Sequence, residues 1–342
     1  MESKPVTIRQ IAKAAGVSPS TVFRVLNSDT PVSPTTRAKV IAAQQILQSK
    51  KNTAPVESMG RFSIGIIMPA HSAADLGGHP SLFDIITSFV EVLSARGFSN
   101  STIIYDEETM TPQSLLSTPM DGYLIIGTSE EQERAIVPFL TSAGLPNILL
   151  NRQSEDVYTS SVNVDDISST ADATEYLISL GHRDIAFIGG NKNFQNTRHR
   201  LLGYKLAMEK HGLPVRSEYI LFGEFSEQSG YQQGKALLNL HHRPTAGICA
   251  SDPLAIGCMR CLTDNGLRLP EEFATIGFGN IEASKYVTPS LSTISQPSKE
   301  MGAIAANTLI QMLENPIICF QKVRLKTSLV IRDSTGSPIS GR

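Results

Sequence analysis

The side chains able to do chemistry are few and scattered. Cys258-Met-Arg-Cys261 has the spacing of a redox pair, but it falls inside a predicted helix over 253–266. No second cysteine pair accompanies it for zinc. Four cysteines in all, Cys249, Cys258, Cys261 and Cys319, do not make a disulfide framework, so they read as buried thiols. His241-His242 stands apart from any Cys or acid cluster. Gly127, Gly189-Gly190 and Gly279 follow predicted strands, yet none belongs to G-x-G-x-x-G or to a G-x-x-x-x-G-K-[S/T] loop, and H-E-x-x-H and G-x-S-x-G are absent. The expectation is no catalytic residue, no metal, no cofactor and no enzyme. What remains is near the amino terminus, where the hydroxyl of Ser20 and the guanidinium of Arg24 can hydrogen-bond to base edges or phosphates.

Those groups need short helices to aim them. Thr7 with Gln10 resembles a capping box ahead of Ile8, Ile11, Ala12 and Ala15. Gly16 can take the left-handed turn that ends this helix. Ser18 is a cap and Pro19 a first-turn residue for a second helix lined by Val22, Val25 and Leu26. A third starts at Ser33-Pro34 and carries Val40, Ile41, Ile46 and Leu47. Ile8, Ile11, Ala12, Val17, Val22 and Val25 can close a small core with Val40 and Leu47. Charge follows the same division. Residues 1–52 hold eight bases against two acids, whereas the whole chain has 30 bases, 32 acids and a net charge of -2. A basic head on an acidic body points to a polyanion partner.

Residues 49–61, rich in polar residues and holding Pro55, read as a linker. From Phe62 the texture changes. Strands are predicted over 62–68, 101–105, 122–126, 146–151, 161–164, 185–189, 219–222, 246–249, 274–278 and 323–331. Helices are predicted over 83–96, 131–143, 167–180, 198–211, 227–240, 253–265 and 299–314. The strands are near-continuous apolar runs, the mark of parallel sheets covered on both faces. Two lobes are expected, with a ligand cleft at the carboxyl ends of the strands. The first residues lack an apolar signal core and no run reaches a membrane-spanning length, so a cytoplasmic protein with no membrane partner is expected.

The run Val6-Thr-Ile-Arg-Gln-Ile-Ala-Lys-Ala-Ala-Gly-Val-Ser-Pro-Ser-Thr-Val-Phe-Arg-Val-Leu-Asn27 resembles the head of the lactose/galactose-repressor (LacI/GalR) family of transcription factors. Asp121-Gly-Tyr-Leu-Ile-Ile126, Gly181-His-Arg-Asp-Ile-Ala-Phe-Ile-Gly-Gly190, Arg200-Leu-Leu-Gly-Tyr204, Ser251-Asp-Pro-Leu-Ala-Ile-Gly257 and Thr275-Ile-Gly-Phe278 extend the likeness over about Val6 to Val330. It implies an α/β chain: a helix-turn-helix head (1–48), a hinge (49–61), a two-lobed periplasmic-binding-protein-like core that also dimerises (62–333) and a tail (334–342). It implies a homodimer on pseudopalindromic operator DNA, contacted through Thr7, Ser18, Pro19, Ser20, Thr21, Arg24 and Asn27. The linker departs from the pattern: Pro55 interrupts a hinge helix, and Ser58 stands where a minor-groove leucine is expected.

The same resemblance places a small-molecule effector between the lobes, against Phe83, Thr128, Asn151, Arg152, Asp165, Arg198, Arg200, Phe225, Ser251, Asp252, Asn280 and Gln296. Gly279 replaces an aspartate found in many sugar-binding members, which favours a sugar acid or sugar phosphate over a neutral sugar. Arginine forks suit such anions. The longer loop 70–80 points instead to an oligosaccharide, and the short segment 106–119 is expected to hold a turn around Ser114–Leu116 in place of a helix. The expected function is a ligand-responsive regulator, a repressor in most of the family. The other readings are a constitutive DNA-binding protein with a vestigial sensor, and a cytosolic sugar-binding protein.

Overall fold

A computed structural model describes residues 8–19, 21–22, 25, 33, 35–37, 39–43, 62–69, 80–151, 159–315 and 320–336. In the head, helix α1 (Ile8–Ala15) stops at Gly16, whose φ of 63° is the left-handed turn expected there. Described residues between 19 and 25, and between 35 and 43, are helical. Ile11, Ala12, Val22, Val25, Val40 and Ala43 form a separate small core, with Ala15 and Val17 packed against it. Ala43 joins this core although the apolar pattern of the third helix does not mark it. Ile41, placed on the same helix, is exposed. Thr7, Ser20, Arg24 and Asn27 lie outside the described residues, as does the 49–61 linker.

The body alternates strand and helix: β1 (Ser63–Pro69), α2 (Pro80–Ala95), β2 (Ser99–Tyr105), β3 (Gly122–Ile126), α3 (Glu130–Ser142), β4 (Asn147–Leu150), β5 (Ser160–Val164) and α4 (Asp166–Ser179). It continues with β6 (Ile185–Ile188), α5 (Gln195–Lys210), β7 (Ile220–Leu221), α6 (Glu227–Leu238), β8 (Ala246–Cys249) and α7 (Asp252–Asp264). Last come β9 (Ala274–Gly279), β10 (Ser292–Ser295), α8 (Ser298–Glu314), β11 (Lys322–Leu325) and β12 (Ser328–Val330). One six-stranded sheet runs β2-β1-β3-β4-β5-β11 and the other β7-β6-β8-β9-β10-β12. The first is parallel throughout. The second is parallel except for its edge pair β10–β12. Each lobe therefore repeats one doubly wound order, with a switch point between β1 and β3 and again between β6 and β8.

Three crossings tie the lobes. The chain leaves the amino lobe after β5, returns after β10 into α8, and crosses once more between β11 and β12. That last crossing corrects the single strand expected over 323–331. Its two halves belong to different sheets, with Lys326-Thr327 as the link. Strand β10 was not anticipated, because Ser292-Thr-Ile-Ser295 is short and polar. It is nonetheless interior: Ser292 Oγ accepts from Arg332 N at 2.8 Å, and Thr293 Oγ1 donates to Asp252. The segment 106–119 does lack an α-helix and holds a 3-10 turn, Pro112–Ser117.

Helices pack in pairs: α2 with α8 on the amino lobe, and α4 with α5 and α6 with α7 on the carboxyl lobe. In each pair a glycine sits against the partner's backbone: Gly302 against Ile85, Gly203 against Ile167, Gly257 against Glu227. Cys249, Cys258 and Cys261 are buried free thiols, and burial raises the pKa of all three. No described helix is long and apolar enough to cross a membrane.

Candidate functional site

Two sites take shape, one in the head and one where the strand ends of the lobes meet. In the head, Val17 N donates to Ala12 O across the Gly16 turn. Ser18 caps the next helix: its Oγ accepts from Thr21 N at 3.2 Å and lies 2.8 Å from Thr21 Oγ1. Pro19 begins that helix and is exposed. Helix, left-handed turn and capped second helix make a helix-turn-helix, with the second helix free to face a groove. Ser33 repeats the capping pattern on the third helix, accepting from Thr36 N at 3.2 Å.

Arg200 stands early in α5 on the carboxyl lobe. Its side chain is almost fully buried, at 4% exposure. Nε donates to Asp166 Oδ1 at 2.7 Å, and one Nη donates to Ala250 O. The guanidinium also lies 3.5 Å from the centroid of the Phe278 ring, a cation–π contact. The other Nη is uncommitted among the described residues. Asp166 was missed in the sequence, although the doublet Asp165-Asp166 at a helix start could have drawn attention to it. Asp165 itself caps α4, accepting from Ser168 N at 3.1 Å.

Other candidates are already partly used by the fold. Thr128 is buried and donates to Glu133, a buried acid in the first turn of α3 that the sequence reading does not single out. Ser251 caps α7. Asn280 departs from its reading as a ligand contact. Its Oδ1 accepts from Arg332 at 2.6 Å and its Nδ2 donates to Ser295 Oγ at 3.2 Å. Arg332 also donates to Leu291 O and Ser284 Oγ, so it knits the end of the chain into the lobe. Asp252 likewise turns inward. At 0% exposure it accepts from Thr293 Oγ1 at 2.5 Å and from Ile281 N at 2.9 Å. A buried carboxylate with its donors inside the lobe is a brace between α7, β10 and the turn after β9.

Asn151 and Asn280 are the two non-glycine residues with positive φ among those described, at 61° and 55°. They end β4 and β9, equivalent strands of the two lobes, and asparagine tolerates this conformation. Phe225 is buried against Gly190, and Phe194, not anticipated, lies 6.2 Å from it. Phe83 is exposed on α2. Gln296, on the second crossing between the lobes, is 8% exposed, and its Nε2 has no partner among the described residues. Arg198 reaches across to Glu130. Arg152 and the 70–79 loop lie outside the described residues. No group of three or more His, Cys, Asp or Glu suited to a metal occurs among the described residues.

Burial sets two opposed titrations. It pushes the Asp252 carboxyl up to about 6, and it holds His182, whose Nδ1 lies 2.9 Å from Thr245 Oγ1, down to about 4. Unfolded reference values are about 3.9 for Asp and about 6.5 for His. The native state thus binds the Asp252 proton more tightly than the unfolded chain, and this contribution lowers stability as pH rises from about 4 to about 6. For His182 the native state binds the proton less tightly, and stability rises with pH over about 4 to 6.5. The two offset each other in the wild type. In Asp252→Asn the offset disappears. The stability difference, variant minus wild type, should then grow by about 2 kcal/mol between pH 4 and 7, read by urea unfolding. Parallel profiles would show that Asp252 does not titrate there.

Comparison with known proteins finds relatives for both the head and the core. Residues 7–48 match the model of the bacterial regulatory proteins of the lacI family, and residues 174–335 match a periplasmic binding protein-like domain. The chain is 30% identical over 337 residues to the "Probable HTH-type transcriptional repressor ExuR" of Bacillus subtilis (strain 168), covering 96% of this chain and 98% of that one. Among solved structures it is similar to the transcriptional regulator CelR–cellobiose complex, with TM-score 0.74, 27% identity, and 96% and 99% of the two chains covered. It is also similar to the lac repressor dimer bound to operator and the anti-inducer ONPF, with TM-score 0.71, 26% identity, and 97% and 99% covered.

Proposed function

Because the chain belongs to the LacI family of bacterial regulatory proteins, we propose that it represses transcription from a pseudopalindromic operator as a homodimer and is released or recruited by a carbohydrate-derived effector. That it is a DNA-binding transcriptional regulator and not an enzyme follows from the family itself. The observation that carries the finer reading is the pairing of a capped helix-turn-helix with a two-lobed core whose lobes approach each other at Arg198–Glu130 and at Gly279–Ser81. Two heads on one dimer match two half-sites related by two-fold symmetry. The similar lac repressor structure is a dimer on operator.

For the effector, support comes from Arg200, whose remaining Nη suits an oxyanion or hydroxyl, and from the unpartnered Gln296 amide. Phe225 and Phe194 supply an apolar wall of the sort that stacks on a sugar ring. A carbohydrate, cellobiose, is the partner in the similar CelR complex. Gly279 leaves no carboxylate at its position, which favours an anionic sugar derivative. Asn151, Asp165, Ser251 and Arg152 complete the proposed lining.

The deciding experiment is a thermal-shift panel of sugar acids, sugar phosphates and disaccharides on the full chain. Operator titrations with each hit follow. A true effector should move operator affinity by about 5- to 150-fold. Hits that bind without moving it would leave a vestigial sensor. In the same titrations at fixed salt, Arg24→Ala should weaken operator binding by about 1–3 kcal/mol through loss of a base contact. An unchanged footprint would remove Arg24 from the mechanism. Raising salt should weaken wild type and variant alike, since phosphate contacts release counterions.

A further inference from the structure

Two charges meet between the lobes. Glu130 opens α3, just after β3 of the amino lobe, and Arg198 lies in the first turn of α5, after β6 of the carboxyl lobe. They form an ion pair through Arg198 Nη2 and Glu130 Oε1. It joins a helix of one lobe to a helix of the other; Arg324 of β11 and Asp165, the cap of α4, make a second, longer ion pair between the lobes at 3.8 Å.

Both partners are held before they meet. The other Nη of Arg198 donates to Asn193 O at 2.8 Å and to Lys192 O at 3.3 Å. These bonds fix the guanidinium plane against the 191–193 turn and leave Nη2 aimed across the cleft. Glu130 stands at the first position of a helix whose cap, Ser129, accepts from Gln132 N at 3.2 Å. An exposed pair of flexible side chains is worth little, because ordering them costs entropy. Here much of that ordering is done by hydrogen bonds inside each lobe. A second contact marks the same approach. A Cβ at Gly279 of the carboxyl lobe would lie 2.8 Å from Ser81 Oγ of the amino lobe.

We propose that Glu130 and Arg198 form a latch that holds the two lobes together without an effector. Arg198 thereby acts between the lobes, and not on a ligand as the sequence resemblance implies. The latch stands whether or not the cleft takes a carbohydrate. Only one consequence rests on the regulatory reading: an effector exchanges when the pair is open.

The test is a distance measurement between spin labels on the full chain without ligand. Labels go on Glu108→Cys and Gln228→Cys, both exposed, in a Cys319→Ser background; Cys249, Cys258 and Cys261 are buried. The unvaried pair should give a distribution dominated by apposed lobes. Glu130→Gln and Arg198→Met should each lower the closed-to-open ratio about two- to five-fold. The double variant should match the singles, as expected for one shared interaction. Salt at 0.5 M should loosen the unvaried latch and leave the double variant unchanged. Melting temperatures close to wild type should accompany these shifts, since neither side chain is in a core. Separated lobes in the parent, single variants superimposable on it, or additive shifts in the double variant would each overturn the latch.

Discussion

Replacing Arg200 by methionine is expected to lower the unfolding free energy by about 3–5 kcal/mol at neutral pH, measured by urea denaturation. Methionine fills much of the space but leaves the Asp166 carboxylate, 9% exposed, without its donor. Removing one member of a buried pair costs about that much because the charge left behind is not solvated. The Ala250 carbonyl and the Phe278 ring lose their partner at the same time. Typical domains are stable by about 5–15 kcal/mol, so such a loss takes a large share. The double variant Asp166→Asn/Arg200→Met should recover part of it, since no charge is then stranded. Arg200→Lys keeps the charge but cannot bond Asp166 and Ala250 in one plane, and should fall between. A loss under about 1 kcal/mol in Arg200→Met would mean that water reaches the pair. Once an effector is found, calorimetry on folded Arg200→Lys separates the roles. Unchanged affinity would make Arg200 a brace between α4 and β8 alone.

The parts of this molecule that were legible are those where local pattern and burial coincide. Ile64-Gly-Ile-Ile-Met68 is an unbroken apolar run, and it is a strand covered on both faces. The Gly16 turn and the Ser18 cap carry their conformations in their own residue types. Strand β10 was illegible because its serine and threonine are interior only by virtue of Arg332 and Asp252, 40 and 41 residues away. Ser328–Val330 looked continuous with Lys322–Leu325 because nothing local marks a change of sheet. The candidate site divides the same way. The family-like motifs single out Arg200, Phe225 and Gln296, which lie early in α5, ahead of α6 and just after β10. They could not tell that Asn280 is taken by Arg332, 52 residues on, or that Arg198 is taken by Glu130, 68 residues back. Positions follow from local sequence, whereas the uncommitted donors of a site depend on partners that only the fold supplies.

The glycines between paired helices show the same dependence with a larger energetic stake. Gly257→Ala should cost about 3 kcal/mol or more, or prevent soluble folding. By helix propensity alone the change should help, since alanine is favoured over glycine by about 1 kcal/mol. Here the added methyl would fall far inside contact distance of the Glu227 carbonyl oxygen. Its counterpart on the facing helix, Gly230, meets the Leu254 carbonyl in the same way. Backbone cannot rotate aside as a side chain can, so α6 and α7 must move apart. Overpacking by a methyl group typically costs about 1–3 kcal/mol even where side chains can adjust. The displacement would also reach the cleft, because α7 starts at Ser251 and Asp252 and Asp252 braces the turn after β9. Gly212→Ala is the control. It has φ of 65° and nothing within 4 Å of an added Cβ, so only backbone strain of about 1–2 kcal/mol is expected. If urea unfolding places Gly257→Ala level with or above Gly212→Ala in stability, the two helices are not in backbone contact. Gly257 would then be a matter of local chain freedom. If it falls well below, the absence of a side chain at Gly257 is what lets α7 carry Asp252 under the cleft.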